Sequence, residues 1–406
     1  MATLTLPVCK KKDNYNVQIA DVVDFTISDS IDTVASVWHT VSGNNIFLSP
    51  SYLKVLEMSP ADGINPYYVI IKVNAEVIGI CYFQWKYFRL QENIREKEVL
   101  KRTIYNKFKR AVIRNINFPT LVLGNLLVTG DHGYLFKDEV SLNMQWELVS
   151  RAVDEVTHYI RIKGRPVGLV LVKDFYSSHK PEAQNNEFIE FSVQPTMKLS
   201  LSPSWQSFDD YINALKSKYR IRLKKARKDM QSITTKIFSE HEVALYKKEI
   251  YNLYKNVSDQ AAFNTFLLHP DYFENLKKIL GDQMTFSTYW KYNKLIGFSS
   301  TIEEQNSLHA HFLGYDKNIN KYCQLYLNML YDLVAQAIAK NKSYIDFSRT
   351  AIEIKSTVGA KDVPLYLYIK HVNPIWNKMV SPILGLVKPD KDFIIRNPFK
   401  EDDLTS

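Results

Sequence analysis

Residues 307–348 read "SLHAHFLGYDKNINKYCQLYLNMLYDLVAQAIAKNKSYIDFS", and they predict a strand, a helix and a second strand. The first segment, 307–316, is rich in apolar and aromatic side chains, as is typical of a strand. Apolar residues then recur at four-residue spacing, at Leu325, Met329, Leu333 and Ala337. That spacing indicates one apolar face of a helix over 321–341. The short apolar segment 343–348 predicts the second strand, so this region has the element order of an α/β fold.

The same order of elements occurs in the first half of the chain. Two strands around a polar turn are predicted just before residues 307–348, in "STYWKYNKLIGFSSTIEE" (287–304). The same pattern occurs in "YYVIIKVNAEVIGICYFQW" (67–85). A strand over 120–130, a helix over 144–164 and a continuous apolar strand over 166–175 follow the first hairpin. Hairpin, strand, long helix and buried strand therefore occur twice.

This repetition predicts two domains, with the boundary in the polar segment 176–205. We expect an N-terminal domain over 1–190 and a C-terminal domain over 191–406. The first domain carries a basic helical insert near 88–115, which fits either a solvated helix or peripheral contact with an anionic membrane. The strand predicted over 364–372 falls in the second domain.

The composition is that of an ordinary globular protein, with 46 % hydrophobic and 23 % charged residues. The formal net charge of +9 favours anionic partners. The three cysteines lie far apart with no CxxC pair, so we expect no disulfide framework and no metal site. The sequence contains no signal peptide pattern and no long apolar run, which predicts a cytoplasmic protein without a transmembrane helix.

The strongest concentration of charge lies in "FDDYINALKSKYRIRLKKARKDM" (208–230). From Lys216 to Lys228, thirteen positions carry eight Lys or Arg and no acid. Apolar side chains recur through the segment at Leu215, Tyr219, Leu223, Ala226 and Met230. Ser207 is a suitable N-cap for a helix that starts here. We therefore predict one amphipathic helix with a cationic face.

Three segments together resemble a known family. Residues 208–230 are similar to the opening helix of the Fem-like and related acyltransferases of the GNAT superfamily. Residues 311–360 are similar to the closing half of those proteins, including a pattern in which "DFSRT" is followed by Glu353 and Lys355. "NIFLSPSYLKVLE" (45–57) resembles their N-terminal part. The resemblance implies two GNAT-like domains, each with a mixed, largely antiparallel sheet flanked by helices.

The resemblance also implies a function. Such enzymes transfer an acyl or aminoacyl group to an amine in one cleft, usually in the C-terminal half. The donor is an acyl-CoA, an acyl carrier protein or an aminoacyl-tRNA, and the acceptor is an envelope, lipid or sugar precursor. No cofactor is expected to be tightly bound, and acyl-CoA is the expected co-substrate. The residues assigned to the anionic donor are Lys218, Arg222, Lys224 and Asn320.

One departure from the acetyl-CoA-dependent members concerns phosphate binding. Those proteins bind the pyrophosphate in a glycine-rich loop at a helix N-terminus. The corresponding segment here, "DKNINKYCQLY" (316–326), contains no glycine. This departure favours an aminoacyl-tRNA-dependent transferase, or a non-catalytic binding module on the same fold, as alternatives to an acyl-CoA-dependent enzyme.

The candidate catalytic residues are His309, Asp346 and Glu353. His309 and His311 alternate onto one strand face, where they serve either as a base and a substrate contact or as ordinary sheet residues. Asp346 ends a buried strand, and such an end often faces the ligand crevice of an α/β sheet. The further candidate substrate contacts are Arg349, Lys355, Tyr315 and His311. The alternative for Asp346, Arg349 and Glu353 is a structural salt-bridge network, and the sequence leaves the oligomeric state open.

Overall fold

The computed structural model describes residues 2–6, 22–89, 117–176, 187–260, 266–385 and 393–400. The chain forms two compact units. Unit 1 comprises Met1–Val193, Ala262–Leu268 and Leu365–Lys388, and unit 2 comprises Gln194–Ala261, His269–Pro364 and Pro389–Ser406. The predicted strand over 364–372 therefore belongs to unit 1 and not to the C-terminal domain, because it pairs with strands of the first sheet. The predicted insert near 88–115 lies almost entirely outside the described residues.

The strands, in chain order, are β1 (Ala2–Leu6), β2 (Val23–Ser28), β3 (Ile64–Val73), β4 (Glu76–Arg89), β5 (Asn117–Leu123), β6 (Tyr134–Phe136), β7 (Leu169–Phe175), β8 (Ile189–Ser192), β9 (Thr196–Ser200), β10 (Thr234–Ile237), β11 (Met284–Lys291), β12 (Lys294–Glu303), β13 (Ser307–Tyr315), β14 (Tyr344–Asp346), β15 (Lys361–Val363) and β16 (Tyr366–His371). The helices are α1 (Ala35–Ser42), α2 (Pro50–Met58), α3 (Leu142–Ile162), α4 (Phe208–Ala214), α5 (Ser217–Asp229), α6 (Glu240–Leu245), α7 (Lys247–Ser258), α8 (Tyr272–Leu280), α9 (Lys317–Cys323), α10 (Leu325–Ala339), α11 (Ile352–Ser356) and α12 (Pro374–Gly385).

The two sheets have equivalent strand orders. The sheet of unit 1 runs β1-β2-β3-β4-β5-β7-β16-β8, with β6 on β4, and that of unit 2 runs β10-β11-β12-β13-β14-β9-β15. The pairs β5–β7 and β13–β14 are parallel, whereas the other described pairs are antiparallel. The prediction of two α/β halves with mixed, largely antiparallel sheets is confirmed.

Turn residues and packing explain the shared hairpins. Asn74 and Ala75 have φ of 51° and 68° between β3 and β4, and Tyr292 and Asn293 have φ of 50° and 60° between β11 and β12. Two consecutive left-handed residues form the tight turn whose twist matches that of the flanking strands. In unit 2 the chain also needs a glycine, because a Cβ on Gly314 of β13 would lie 2.5 Å from the backbone of α7.

Each unit has a long helix packed on its sheet. In unit 1, α3 buries an apolar face that includes Val149, Val153 and Val156 against the sheet. In unit 2, α10 buries Leu330, Val334 and neighbouring apolar residues in a core with β9 and β14. Among the described helices, none combines the length and the apolar character needed to cross a bilayer.

The cationic segment 208–230 forms two helices, not the single helix predicted. Ser207 and Asp210 make a reciprocal capping box at the start of α4, which confirms Ser207 as an N-cap. The helix is interrupted before α5, where Lys216 N donates a hydrogen bond to Pro398 O at 2.8 Å. A backbone contact with a distant segment thus replaces a helical hydrogen bond. The apolar stripe persists through the break, because Leu215 and Leu223 are both buried.

Candidate functional site

The parallel strands β13 and β14 of unit 2 diverge at their C-terminal ends. They pair at Ser307 with Tyr344, Leu308 with Ile345, and His309 with Asp346. Beyond this point β14 ends, whereas β13 continues to Tyr315. The register of β13 against β12 is also irregular here, and such bulges are frequent next to active sites. The C-terminal ends of strands are where ligands bind in α/β sheets.

Polar side chains cover one face of the sheet at this divergence. His309, Asp346 and Lys198 are register partners across β13, β14 and β9. The residues next to them in sequence, Leu308, Ile345 and Leu199, are buried in the hydrophobic core on the opposite face. Strand alternation therefore separates the core from a polar face, and the side chains of His309, Asp346 and Lys198 form the centre of that face.

Asp346 is a buried carboxylate with several partners. Its Oδ1 accepts hydrogen bonds from Thr196 Oγ1 and from Ser348 N, each at 2.7 Å. Lys198 Nζ lies 3.6 Å from Oδ2. These contacts tie Asp346 to β9 and to the turn that follows β14, so its side chain holds the surrounding chain in place.

His309 and His311 have different partners. His309 Nε2 lies 2.9 Å from both Glu304 Oε2 and Ser307 Oγ. A carboxylate partner fixes the orientation of an imidazole ring. His311 Nε2 instead contacts Tyr272 OH at 2.7 Å, and burial together with His309 lowers the pKa of His311 to about 3. His311 therefore stays neutral and acts as a packing partner of α8.

The side chain of Lys355 stabilises the turn that follows β14. Its Nζ donates to Ser348 O at 3.1 Å and to Arg349 O at 2.6 Å. Burial lowers the pKa of Lys355 to about 7, and Asp346 partly opposes this shift. The turn has left-handed φ values of 62° at Ser348 and 66° at Thr350. The ammonium predicted to bind substrate thus stabilises a constrained turn.

The three remaining predicted residues of this region, Arg349, Glu353 and Tyr315, differ in their burial and contacts. Burial lowers the pKa of the half-buried Arg349 guanidinium to about 10. Glu353 is exposed, and its Oε1 accepts from Ile394 N at 3.4 Å, so the structure does not bring it to the polar face. Tyr315 is half-buried at the end of β13, 6.0 Å from the ring of Tyr326, and burial raises its pKa.

A second feature of unit 2 is a cavity of about 650 Å³ between α5 and α9, which we call the cationic cavity. Its lining includes four cationic residues, Lys218, Arg222, Lys225 and Lys321. The acid in the lining, Asp229, accepts a hydrogen bond from Gln324 Nε2 at 2.9 Å. The helix α9, which contributes Lys321 and Tyr322 to the lining, begins two residues after β13 ends.

Two predicted donor-binding residues do not line this cavity. Lys224 is exposed elsewhere on α5. Asn320 Oδ1 accepts from Tyr326 N at 2.8 Å and so caps the first turn of α10. The structure therefore places Asn320 at a helix cap and outside the lining of the cationic cavity, whereas the sequence assigned it to donor binding.

Several residues of these sites are absent from the sequence-based assignment. Lys225 would have been found from helical geometry, because Lys218, Arg222 and Lys225 have the i, i+4, i+7 spacing of one helix face. Lys321 and Tyr322 join them only because α9 packs beside α5. Thr196 and Lys198 carry no local signal, since they reach Asp346 through pairing of β9 with β14.

Residues 172–349 match the model of a FemAB-like family, described as peptidoglycan biosynthesis/recognition. The matched segment is less than half of the chain, and it runs from β7 to the turn that follows β14. No curated protein shows a significant sequence match to the chain.

Solved structures with a similar arrangement have low sequence identity. FemX is 10 % identical, with 89 % of this chain and 98 % of that chain covered and a TM-score of 0.48. A conserved protein of unknown function from Bacteroides thetaiotaomicron VPI-5482 is 11 % identical, with 86 % and 99 % covered and a TM-score of 0.49. A tandem GNAT protein from the clavulanic acid biosynthesis pathway is 7 % identical, with 87 % and 99 % covered and a TM-score of 0.48.

Each of these TM-scores is below 0.5, so the structures carry no argument about function. The family model is the finding that bears on identity. It confirms the resemblance to Fem-like proteins over residues 172–349.

Proposed function

We propose that this protein is a transferase that moves an aminoacyl or acyl group from a polyanionic donor to an amine, with its active site in unit 2. The observation that carries the proposal is the cationic cavity, which gathers Lys218, Arg222, Lys225 and Lys321 between α5 and α9. Like charges repel when they are gathered in one cavity, and an anionic ligand relieves that repulsion.

The donor that fits best is an aminoacyl-tRNA. The Tyr326 amide in the first turn of α10 is already capped by Asn320, which favours contact of the donor phosphates with side chains over contact with that helix terminus. Lysine and arginine side chains in an open cavity suit the phosphodiester backbone of RNA. An acyl-CoA remains the second candidate, because its phosphates would also be attracted to the cavity.

The chemistry requires a neutral amine and a place for one proton. The amine nitrogen attacks the carbonyl carbon of the donor, the C–N bond forms, and the bond from that carbon to the donor oxygen or sulfur breaks. The amine loses one proton and the leaving group gains one, so no oxidant or reductant is needed. We assign proton transfer to His309, because Glu304 orients its ring. The acceptor that we propose is an amine of a cell-envelope precursor, encountered in the cytoplasm.

The test is a transfer assay that compares charge reversals on one helix. Purified protein is supplied with aminoacyl-tRNA or with acyl-CoA and a panel of amine acceptors. We expect product from aminoacyl-tRNA, with Arg222→Glu lowering donor affinity at least tenfold and Lys224→Glu changing it less than twofold. The two variants carry the same charge change on the same helix, and only Arg222 lines the cavity.

Two outcomes would change the proposal. Transfer from acyl-CoA alone would select the second candidate. Equal effects of the two charge reversals would remove the cationic cavity from the donor site, whatever the donor is.

A further inference from the structure

The cationic cavity also contains apolar surface that its charge does not explain. Tyr322 on α9 is 80 % exposed and Ile221 on α5 is 65 % exposed, and both line the cavity. A single exposed apolar side chain is ordinary on a protein surface. Here an aromatic and an aliphatic side chain come from two different helices and lie among four cations.

This combination suits a particular kind of ligand. Inorganic polyphosphate or an acidic peptide would use the ammonium and guanidinium groups but would leave the ring of Tyr322 in water. A nucleotide offers phosphates to the cations and a flat base to the ring. Proteins that bind unpaired nucleotides combine positive charge with an exposed aromatic platform in this way.

We propose that Tyr322 stacks on an unpaired nucleobase of the donor while Lys218, Arg222, Lys225 and Lys321 contact the adjacent phosphates. The proposal rests on the proposed function, which it deepens by naming the part of the donor that is recognised. The recognised chemistry is a nucleoside flanked by phosphates. It occurs both at a single-stranded RNA end and in coenzyme A, and the experiment separates these two sources.

The lining also predicts which residue discriminates between ligands. The four cations act on any phosphate, because charge carries no information about a base. Tyr322 contacts a base only when that base is unpaired, since a base within a duplex is already stacked on its neighbours. Tyr322 is therefore the specificity-determining residue of the cavity, whereas Arg222 contributes to affinity for all anions.

The test measures binding of three probes to the full chain. The probes are a single-stranded hexamer of oligoadenylate, coenzyme A and inorganic tripolyphosphate. For Tyr322→Ala we expect a roughly 5- to 150-fold loss of affinity for the hexamer. We expect no change for tripolyphosphate. A similar loss for coenzyme A would identify it as a second source of the base, and an unchanged weak affinity for it would restrict recognition to RNA.

The control variants separate stacking from charge and from folding. Tyr322→Phe keeps the ring and should retain the affinity of the wild-type protein for the hexamer. The slope of log affinity against log salt should be the same for Tyr322→Ala and wild type, because the number of phosphate contacts is unchanged. Arg222→Glu should weaken all three probes. Since Tyr322 is exposed, its variants should unfold like the wild type.

Two results would overturn the inference. An unchanged affinity of Tyr322→Ala for the hexamer would mean that the ring does not contact a base. A loss of the same size for tripolyphosphate would mean that the substitution distorts the cavity. These experiments measure only binding, so their results do not depend on whether transfer is detected. A failure of the proposed function would be seen in the transfer assay instead.

Discussion

The ends of β7 in unit 1 and β14 in unit 2 carry the same two residues in different surroundings. Asp174 and Phe175 are the last residues of β7, whereas Asp346 is the last residue of β14 and Phe347 comes directly after it. All four side chains are buried. Asp174 Oδ2 pairs with the adjacent Lys173 and accepts from Gly130 N at 3.2 Å. At the second site Asp346 Oδ2 lies 3.6 Å from Nζ of Lys198, whose side chain is 23 % exposed.

The difference arises from the chain that follows each neighbouring strand. In unit 1, β5 ends at Leu123, and the loop that continues from it packs on the end of β7, where Lys173 Nζ donates to Val128 O at 2.7 Å. A Cβ on Gly124 would lie 3.2 Å from Lys173 Cβ, so the loop leaves little room for a ligand. In unit 2, β13 extends past β14 and leads into α9. Equivalent topology thus carries a closed strand end in one unit and a candidate site in the other.

The largest expected change in the free energy of unfolding concerns the closed strand end of β7. Asp174→Asn removes a charge from a buried pair and leaves Lys173 without its carboxylate, so we expect the free energy of unfolding to fall by about 3–5 kcal/mol. Denaturant unfolding measures this change. The double variant Lys173→Met/Asp174→Asn should recover part of the loss. A loss below 1 kcal/mol for the single variant would show that the pair does not seal the unit 1 strand end.

A smaller effect on stability is expected at the open end. Asp346→Asn leaves Lys198 partly in water and keeps a side-chain oxygen for Thr196 or Ser348, so the free energy of unfolding should fall by about 1–3 kcal/mol. The same denaturant experiment checks it. If Asp346→Asn proved more destabilising than Asp174→Asn, the assignment of closed and open ends would be reversed.

The turn beside Asp346 should show a pH dependence from Lys355. The folded-state pKa of Lys355 is lowered to about 7 from its ordinary value of 10.5, so between these values the unfolded chain binds more protons. Stability due to this group therefore rises with pH in that window, by at most about 1.4 kcal/mol per pH unit. When the free energy of unfolding is measured from pH 7.5 to 9.5, this slope should be absent in Lys355→Met.

The matched control for that slope is Lys361→Met, which removes an exposed lysine of the same unit and should leave the slope intact. Identical slopes in wild type and Lys355→Met would contradict the lowered pKa.

The smallest effect compares the caps of the two long helices. Asn320→Ala removes the acceptor for Tyr326 N in unit 2, and Ser141→Ala removes the acceptor for Met144 N at the start of α3 in unit 1. Each should lower the free energy of unfolding by about 1 kcal/mol. A Thermofluor or calorimetric melt at saturating and zero coenzyme A adds a second readout. Tighter coenzyme A binding by Asn320→Ala would show that the Tyr326 amide suits a phosphate once it is released.

Much of the architecture was predictable because it rests on local patterns. The hairpin turns, the apolar face of α10 and the Ser207 cap follow from neighbouring residues in sequence. The break between α4 and α5 was not predictable, because it depends on the backbone of Pro398, which is distant in sequence. The pairing of β16 with the first sheet was also not predictable, because alternation of apolar and polar residues identifies a strand but not the strand with which it pairs.

For the candidate site, the sequence by itself determined the residue types and their periodicity. It selected His309 and Asp346 at strand positions and placed Lys218 and Arg222 on a cationic helix. Only the tertiary structure decided their hydrogen-bond partners. It paired His309 with Glu304, joined Asp346 to Thr196 through β9, and used Asn320 to cap a helix. The physical reason is that periodicity is a property of local backbone geometry, whereas hydrogen-bond partners and shared cavities are set by long-range packing.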